Sequence, residues 1–175
     1  IALMMVPVAS AGVWTQMEDA LSNIEIFPDV TTDHANHLSI TWMADEGTIE
    51  GYPDGTFQPD GLVNRAELMK MIVSGAEEPD SDVYNNCFPD VTDEWFAPYV
   101  CYAYENGMID GYPDGTFQPG NNVNRAEALK IILNGALAEE RWPDPSEYEL
   151  SLELPVDIDE DSWYIGYARF AIAKE

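Results

Sequence analysis

Residues 51–59 read GYPDGTFQP, and the same nine residues return unchanged at 111–119. The stretch is rich in turn-forming residues. Its Pro-Asp-Gly triplet supplies a fixed φ, a side-chain acceptor for backbone amides and a residue free to adopt positive φ. An identical nonapeptide at two places predicts an internal repeat that carries the same loop in each copy.

Two further motifs surround each loop at matching offsets. FPDV occurs at 27–30 and 88–91, and VNRAE occurs at 63–67 and 123–127. The three motifs keep their order in both copies, so the chain is built on a repeat of about 60 residues.

A third copy begins near Pro155. Asp157-Ile158 stands in the place of Asp90-Val91, and Trp163-Tyr164 stands in the place of Trp95-Phe96. The sequence stops at Glu175, before any third glycine loop. We therefore expect a third repeat that is incomplete here and a full protein that continues, because such repeats need neighbours to bury their apolar faces.

Each repeat is predicted to form helix, loop, helix. In the second copy an aromatic helix runs from about Trp95 to Asn106, and Gly107 is suited to end it. Asn124 is a good N-cap for the second helix, with Glu127 as its capping-box partner. The predicted buried stripe of that helix is Ala126, Leu129, Ile132, Leu133 and Ala136. The expected fold class is all-α.

These patterns divide the chain into seven segments. They are a signal-peptide remnant (1–11), a lead-in (12–26), repeat 1 (27–78), a linker (79–86), repeat 2 (87–137), a second linker (138–154) and partial repeat 3 (155–175). The first segment is an apolar run followed by Ala9-Ser10-Ala11, which is typical of an export cleavage site. The run is too short to cross a bilayer, so we expect a secreted mature protein without membrane insertion.

Charge narrows the classes of partner. There are 33 acidic and 7 basic residues, and the formal net charge is -26. This balance excludes nucleic acid, whose phosphates require Lys and Arg, and adsorption to anionic membranes. The acidic excess fits either an ordinary solvated surface or an exterior that attracts cations.

The two cysteines both lie in the second repeat. The positions equivalent to Cys87 and Cys101 in the first repeat are Ile26 and Thr41, so both cysteines are absent there together. This joint absence favours a disulfide and an oxidising compartment. The alternative is two buried thiols. A zinc site is not expected, because no further Cys or His cluster stands nearby.

The FPDV opening, the aromatic helix, GYPDGTFQP and the Arg-Ala-Glu helix start together resemble the S-layer homology family. The resemblance covers Phe27 to Ala136 in two copies and Pro155 to Glu175 in part. It implies a non-covalent anchor at the bacterial cell surface that binds a secondary cell-wall polysaccharide, often one bearing an acidic pyruvate ketal. It also implies three motifs in a pseudo-threefold unit with grooves between neighbours, no catalysis and no cofactor.

The family's key arginine corresponds to Arg65 and Arg125. A cation at a helix N-terminus opposes the helix dipole, so both positions need an explanation. One explanation is a guanidinium that grips a ligand carboxylate or sugar oxygen beside free helix-start amides. The other is a structural ion pair with Asp54 or Asp114, which would order the loops or orient the arginines.

Two tryptophans are further candidates for glycan contact. Trp95 and Trp163 stand at the start of the first helix in repeats 2 and 3, where repeat 1 has Ala35. An indole ring can stack on a sugar, and it can equally pack within the core or between repeats. The family's threonine before the arginine is replaced by Asn64 and Asn124, which preserves the cap.

Competing functions have weaker support. The acidic run at 157–161 has calcium-loop spacing, but it lacks the required glycine and closing glutamate, where Ser162 and Ala168 stand. His34 and His37 are expected to be solvated near a helix start. No catalytic motif is present, and no metal ligand set is expected. The alternative functions are self-assembly into a surface lattice, possibly with calcium bridges, and anchoring of an enzyme that lies beyond Glu175.

Overall fold

A computed structural model of the chain describes residues 20–75, 78–137, 155 and 157–173. Its helices are α1 (His37–Asp45), α2 (Arg65–Ser74), α3 (Ala97–Glu105), α4 (Arg125–Leu137) and α5 (Ile165–Ala173). No strand is present in these residues, only two isolated β-bridges, so the all-α prediction is confirmed. The pseudo-threefold arrangement stays a prediction. The expected signal remnant (1–11) and the second linker (138–154) lie outside the described residues.

The chain divides into two compact units. One comprises Ile1–Leu62 with Lys70–Glu78, and the other comprises Val63–Met69 with Pro79–Glu175. In the first unit, Phe27, Val30, Ile40 and Ile49 form a buried cluster. In the second unit the least exposed apolar side chains include Val91, Val100, Cys101 and Phe117.

Each glycine loop is held by the aspartate of the FPDV motif. The carboxylate of Asp29 accepts hydrogen bonds from the backbone amides of Phe57 (2.9 Å) and Gln58 (2.7 Å). Asp90 does the same for Phe117 (2.8 Å) and Gln118 (2.7 Å). Gln58 and Gln118 have φ near 57° and 58°, a left-handed conformation uncommon outside glycine. At each loop, the two hydrogen bonds from backbone amides to the aspartate stabilise that conformation.

A second aspartate orders each loop from within. Asp54 accepts hydrogen bonds from the amide and hydroxyl of Thr56, at 3.0 and 2.7 Å, and Asp114 repeats both distances with Thr116. The threonine hydroxyl is the largest cause that lowers the pKa of each carboxyl. The loop-ordering role predicted for these two aspartates therefore has a direct geometric basis.

The first glycine of the loop allows the phenylalanine of FPDV to approach. A Cβ on Gly51 would lie 2.6 Å from Cε1 of Phe27 and 2.7 Å from the carbonyl oxygen of Thr56. Gly51 also has φ near 69°, which favours glycine on conformational grounds. FPDV and GYPDGTFQP are thus two halves of one packed substructure.

The predicted helix caps are confirmed. Asn64 accepts a hydrogen bond from the amide of Glu67, and the Glu67 carboxylate accepts one from the amide of Asn64, both at 2.9 Å. Asn124 and Glu127 repeat this capping box at 3.0 Å. Gly107 follows helix α3 with φ near 70°, as expected of a residue that ends a helix.

The predicted disulfide is also confirmed. It joins Cys87 to Cys101, whose Cα atoms lie 5.4 Å apart. Helix α3 begins at Ala97 rather than at Trp95, because Pro98 is favourable only in the first turn of a helix. The bond therefore ties the segment before the FPDV motif to the second turn of α3.

Two expectations about burial were wrong. Ile132 is 46% exposed while Ile131 is buried. The inward face of α4 is set by its packing against α5, which no periodicity within α4 reveals. His37 is also buried, and its ring nitrogens have no hydrogen-bond partner among the described residues. It shares the inward face of α1 with Ile40 and Thr41, three and four residues on.

Asp29→Asn should lower the melting temperature at neutral pH, because it replaces a charged acceptor of the Phe57 and Gln58 amides by a neutral side chain with one acceptor oxygen and one NH₂ donor. The Phe57 amide is the largest cause that lowers the pKa of Asp29 below 3.8. A lowered pKa means that the stabilisation is present above the ordinary value and is lost as pH falls through the folded-state value. The difference between wild type and variant, measured by thermal unfolding, should therefore shrink below about pH 4.

The matched control is Asp60→Asn, which removes the same charge from an exposed carboxylate. The comparison cancels the general change in charge repulsion across the pH series. An Asp29→Asn effect that is as small as the Asp60→Asn effect, or that does not change with pH, would contradict the stabilising role of the hydrogen bonds that Asp29 accepts from the loop.

Candidate functional site

The start of helix α2 lies against the second glycine loop and the residues that follow it. The amide of Arg65 donates to the carbonyl of Asn121 (2.9 Å), and the amide of Ala66 donates to the carbonyl of Pro119 (3.1 Å). With the capping box, these bonds satisfy the first amides of the helix. The expectation of free helix-start amides beside Arg65 is therefore wrong.

The Arg65 side chain is held by the same loop. It is 8% exposed, and its Nε donates to the carbonyl of Phe117 at 2.9 Å. Its guanidinium carbon lies 4.8 Å from the ring centroid of Tyr112 and 4.5 Å from that of Phe117. Cation–π contact and a backbone acceptor thus offset the unfavourable place of a cation at a helix start.

The ion pairs suggested for the arginines are absent from the described residues. Oδ1 of Asp54 accepts a hydrogen bond from the Thr56 hydroxyl, and Oδ1 of Asp114 accepts one from the Thr116 hydroxyl. The ion pair found in the described residues joins Lys70 to Glu50. The alternative of an arginine–aspartate pair is therefore not supported. Arg65 does have a structural role, but it contacts the carbonyl of Phe117 and two aromatic rings rather than a carboxylate.

Arg65 lines a groove of about 620 Å³ within the second unit. Its walls are formed by Arg65, Met108, Ile109, Asp110, Gly111, Tyr112, Pro113, Glu127, Lys130, Ile131, Asn134 and Trp163. The groove combines two cations, two carboxylates and an aromatic-rich apolar wall. We call it the Arg65 groove. Its chemistry suits a ligand with both an apolar face and polar or charged groups.

Lys130 is a groove residue that the sequence argument missed. Lys70 occupies the same place in the first repeat, and its Nζ lies 2.6 Å from Oε2 of Glu50. Asp110 is the counterpart of Glu50, yet no ion pair joins it to Lys130 in the described part of the chain. Within the described residues the Lys130 ammonium therefore has no ion-pair partner. A signal existed, because only seven residues are basic and these two lysines recur at one place in the repeat.

The two tryptophans are surface residues in different places. Trp95 is 58% exposed and Trp163 is 59% exposed, so neither is a core residue. Each ring is nearly perpendicular to that of the next residue, Phe96 or Tyr164. Trp163 lines the Arg65 groove, whereas Trp95 lines a separate pocket.

The predicted site residues therefore do not form one cluster. Arg65 and Trp163 share the groove, while Asp54 and Asp114 order their loops. Arg125 is exposed and lines neither pocket. No acceptor is found within the described residues for its backbone amide or its side chain. Its surroundings thus differ from those of Arg65 although the local sequence is the same.

Two absences concern only the described part of the chain. It contains no group of three or more His, Cys, Asp or Glu side chains arranged to hold a metal ion. None of its helices combines the length and the apolar character that a membrane span requires.

Comparison with known proteins supports the sequence resemblance. The S-layer homology domain model matches residues 26–69 and 88–129. Cell surface glycoprotein 1 of Acetivibrio thermocellus is 33% identical over 150 residues, which is 80% of this chain and 6% of that protein.

Two further relatives have similar identity. The Cellulosome-anchoring protein of Acetivibrio thermocellus is 32% identical over 65% of this chain and 28% of its own length. S-layer protein EA1 of Bacillus anthracis is 27% identical over 73% of this chain and 14% of its own length. The chain thus spans less than a third of the length of each of these relatives. Their names refer to the cell surface, to cellulosome anchoring and to the S-layer. With domain matches at residues 26–69 and 88–129, the chain belongs to the S-layer homology family.

Proposed function

We propose that this chain is a non-catalytic module that attaches an exported protein to the bacterial cell envelope by binding a wall-associated polysaccharide. The observation that carries the proposal is the Arg65 groove, where Lys130 and Arg65 stand beside an exposed tryptophan. The names of the relatives, which include a cell surface glycoprotein and a cellulosome-anchoring protein, support the same class of function.

The groove suits an acidic sugar for electrostatic reasons. The chain as a whole carries a formal charge of -26, so an anionic polymer is repelled by most of the surface. A place where two of the seven basic residues meet is therefore selective. The ammonium of Lys130 would contact a carboxylate as a mobile point charge, while Arg65 is already fixed by Phe117.

The apolar wall supplies the rest of the recognition. Trp163 lines the groove and is 59% exposed. Its ring offers a flat face on which the C–H side of a sugar can stack. Tyr112 contributes a second ring while it holds the Arg65 guanidinium.

Arg125 extends the proposal to a second contact. It begins α4 in the same Asn-Arg-Ala-Glu context as Arg65, but it is exposed. The amides of Arg125 and Ala126 have no acceptor in the described residues, so a guanidinium stands beside unbonded helix-start amides. This combination favours an anionic group on the ligand.

The whole-protein picture is part of the same proposal. Three repeats, with segments at 27–78, 87–137 and 155–175, would form a pseudo-threefold unit with a groove at each junction. Trp95 and Trp163 would be groove walls, and Asp54 and Asp114 would hold the loops that shape them. The protein would act outside the cell as an envelope component, and its passenger could be an enzyme.

Self-assembly into a surface lattice is the second candidate function. Two relatives are named as S-layer proteins, and the acidic exterior could be bridged by divalent cations. Calcium-dependent assembly without any wall polymer would favour this candidate over polysaccharide binding.

Lys130→Ala should weaken binding to wall sacculi roughly tenfold, because it removes a charged contact from the Arg65 groove. Lys70→Ala is the matched control, since Lys70 holds the same place in repeat 1 and is paired with Glu50. Co-sedimentation with sacculi of the producing bacterium measures both variants. Sacculi stripped of their non-peptidoglycan polymer should bind neither variant nor wild type, and a calcium chelator should have no effect. Equal binding by the two variants, or undiminished binding to stripped sacculi, would refute the groove assignment.

Arg125→Ala should also weaken binding to intact sacculi while leaving helicity nearly unchanged, because the side chain has no described contact to lose. Circular dichroism checks the fold and co-sedimentation checks the binding. Arg125→Lys should retain part of the affinity, since it keeps the charge but loses the planar fork. If Arg125→Ala unfolds the protein instead, the arginine is structural, and undiminished binding by a folded Arg125→Ala would contradict the ligand role.

A further inference from the structure

A second pocket lies within the second unit, between the segment that precedes the FPDV motif and the start of helix α3. It has a volume of about 470 Å³ and does not share a lining residue with the Arg65 groove. Tyr84, Asn85, Asn86, Asp93 and Trp95 are among its lining residues. We call it the Trp95 pocket.

The segment that carries the two asparagines is fixed in place. Cys87, next to Asn86, is bonded to Cys101 of helix α3. The amide of Asn86 donates to the carbonyl of Thr92 at 3.0 Å, and Asn86 has φ near 55°. Asparagine tolerates this left-handed conformation better than most residues other than glycine. The disulfide and the Thr92 hydrogen bond tie the segment to helix α3 and to the residue that follows the FPDV motif.

The polar groups of the pocket are mostly hydrogen-bond acceptors at fixed positions. Asn85 donates from its Nδ2 to the carbonyl of Ser81 at 3.0 Å, and its own side-chain oxygen accepts from Asn86. This arrangement leaves the side-chain oxygen of Asn86 without a donor in the described residues. Asp93 has one oxygen 3.2 Å from the Thr92 hydroxyl and a second oxygen without a described partner.

The aromatic group of the pocket is available to a ligand. Trp95 lies just before helix α3, is 58% exposed and contacts Phe96 edge to face. An exposed indole in a polar pocket is a platform for a ring that has an apolar face and a hydroxylated edge. The amide and carboxylate oxygens nearby are suited to accept hydrogen bonds from such hydroxyls.

We propose that the Trp95 pocket is a second carbohydrate subsite, which binds an uncharged pyranose ring stacked on Trp95. No Lys or Arg lines this pocket, whereas Asp93 and Glu94 do, so an acidic sugar is disfavoured. The Arg65 groove has the opposite character. The proposal rests on the proposed function only for the source of the ligand, which would be a neutral residue of the same wall polymer.

The subsite has no counterpart in repeat 1, and repeat 3 has a tryptophan at this place, Trp163, but no cysteine. Repeat 1 has Ala35 in the place of Trp95, and Ile26 and Thr41 in the places of the two cysteines. The stacking ring and the covalent tie are therefore absent together from repeat 1. Their joint presence in repeat 2 suits a single function, in which the disulfide holds the asparagine segment against the tryptophan.

The test is a nuclear magnetic resonance titration of the intact chain with maltotriose and with tri-N-acetylchitotriose, two uncharged probes. At millimolar concentrations at least one of them should shift the indole N–H signal of Trp95 and the side-chain amide signals of Asn85 and Asn86. Trigalacturonate, an acidic probe, should leave those signals unchanged. Trp95→Ala should weaken the neutral-sugar affinity about tenfold, because one stacking contact is lost. Val83→Ala, an exposed neighbour outside the pocket, is the control variant.

Reduction of the disulfide provides a second measurement that does not alter Trp95. Dithiothreitol should weaken the binding of the neutral probe while circular dichroism shows the helices to be retained. The proposal is overturned if neither neutral probe shifts the Trp95 signal, if trigalacturonate shifts it equally, or if choline, a cationic probe, shifts it more. These outcomes are independent of wall binding through Lys130, so failure of the subsite and failure of the anchoring function can be told apart.

Discussion

The backbone of Phe117 is fixed by hydrogen bonds at both its N–H and its carbonyl, and the second unit depends on this arrangement. The Asp90 carboxylate accepts a hydrogen bond from its N–H, and Nε of Arg65 donates to its carbonyl. The Phe117 ring is almost fully buried and lies beneath the same guanidinium. One residue of the glycine loop therefore connects the FPDV motif, the loop and the start of helix α2. Each of the three recurring motifs is explained by what it does at this junction.

This junction also accounts for how a cation comes to line a groove in a strongly acidic protein. Arg65 alone would be unfavourable at a helix start, but the loop supplies a carbonyl and two aromatic faces. Fixing the guanidinium limits the loss of conformational entropy when a ligand binds. Lys130 adds a second cation to the groove, and within the described residues it has no ion pair like the one that joins Lys70 to Glu50 in repeat 1.

Much of the fold could be predicted from the sequence because it is local. The capping boxes at Asn64 and Asn124, the helix end at Gly107 and the turn chemistry of GYPDGTFQP all depend on residues a few positions apart. The Cys87–Cys101 bond could be predicted because both cysteines are absent together from the first repeat. Ile132, His37 and the partners of Arg65 could not be predicted in this way. They depend on which helix face or loop, distant in the sequence, packs against each residue. The periodicity within one helix does not carry that information.

The Arg65 groove is proposed to bind an acidic part of a wall polysaccharide. The most direct measurement is a nuclear magnetic resonance titration of the intact chain with acidic oligosaccharides released from the wall polymer of the producing bacterium. It should follow the Nε–H of Arg65, the ammonium of Lys130 and the indole N–H of Trp163. Saturable shifts are expected at Lys130 and Trp163, with Arg65 still bonded to Phe117. Saturable binding that leaves these three signals unchanged would contradict the proposed binding.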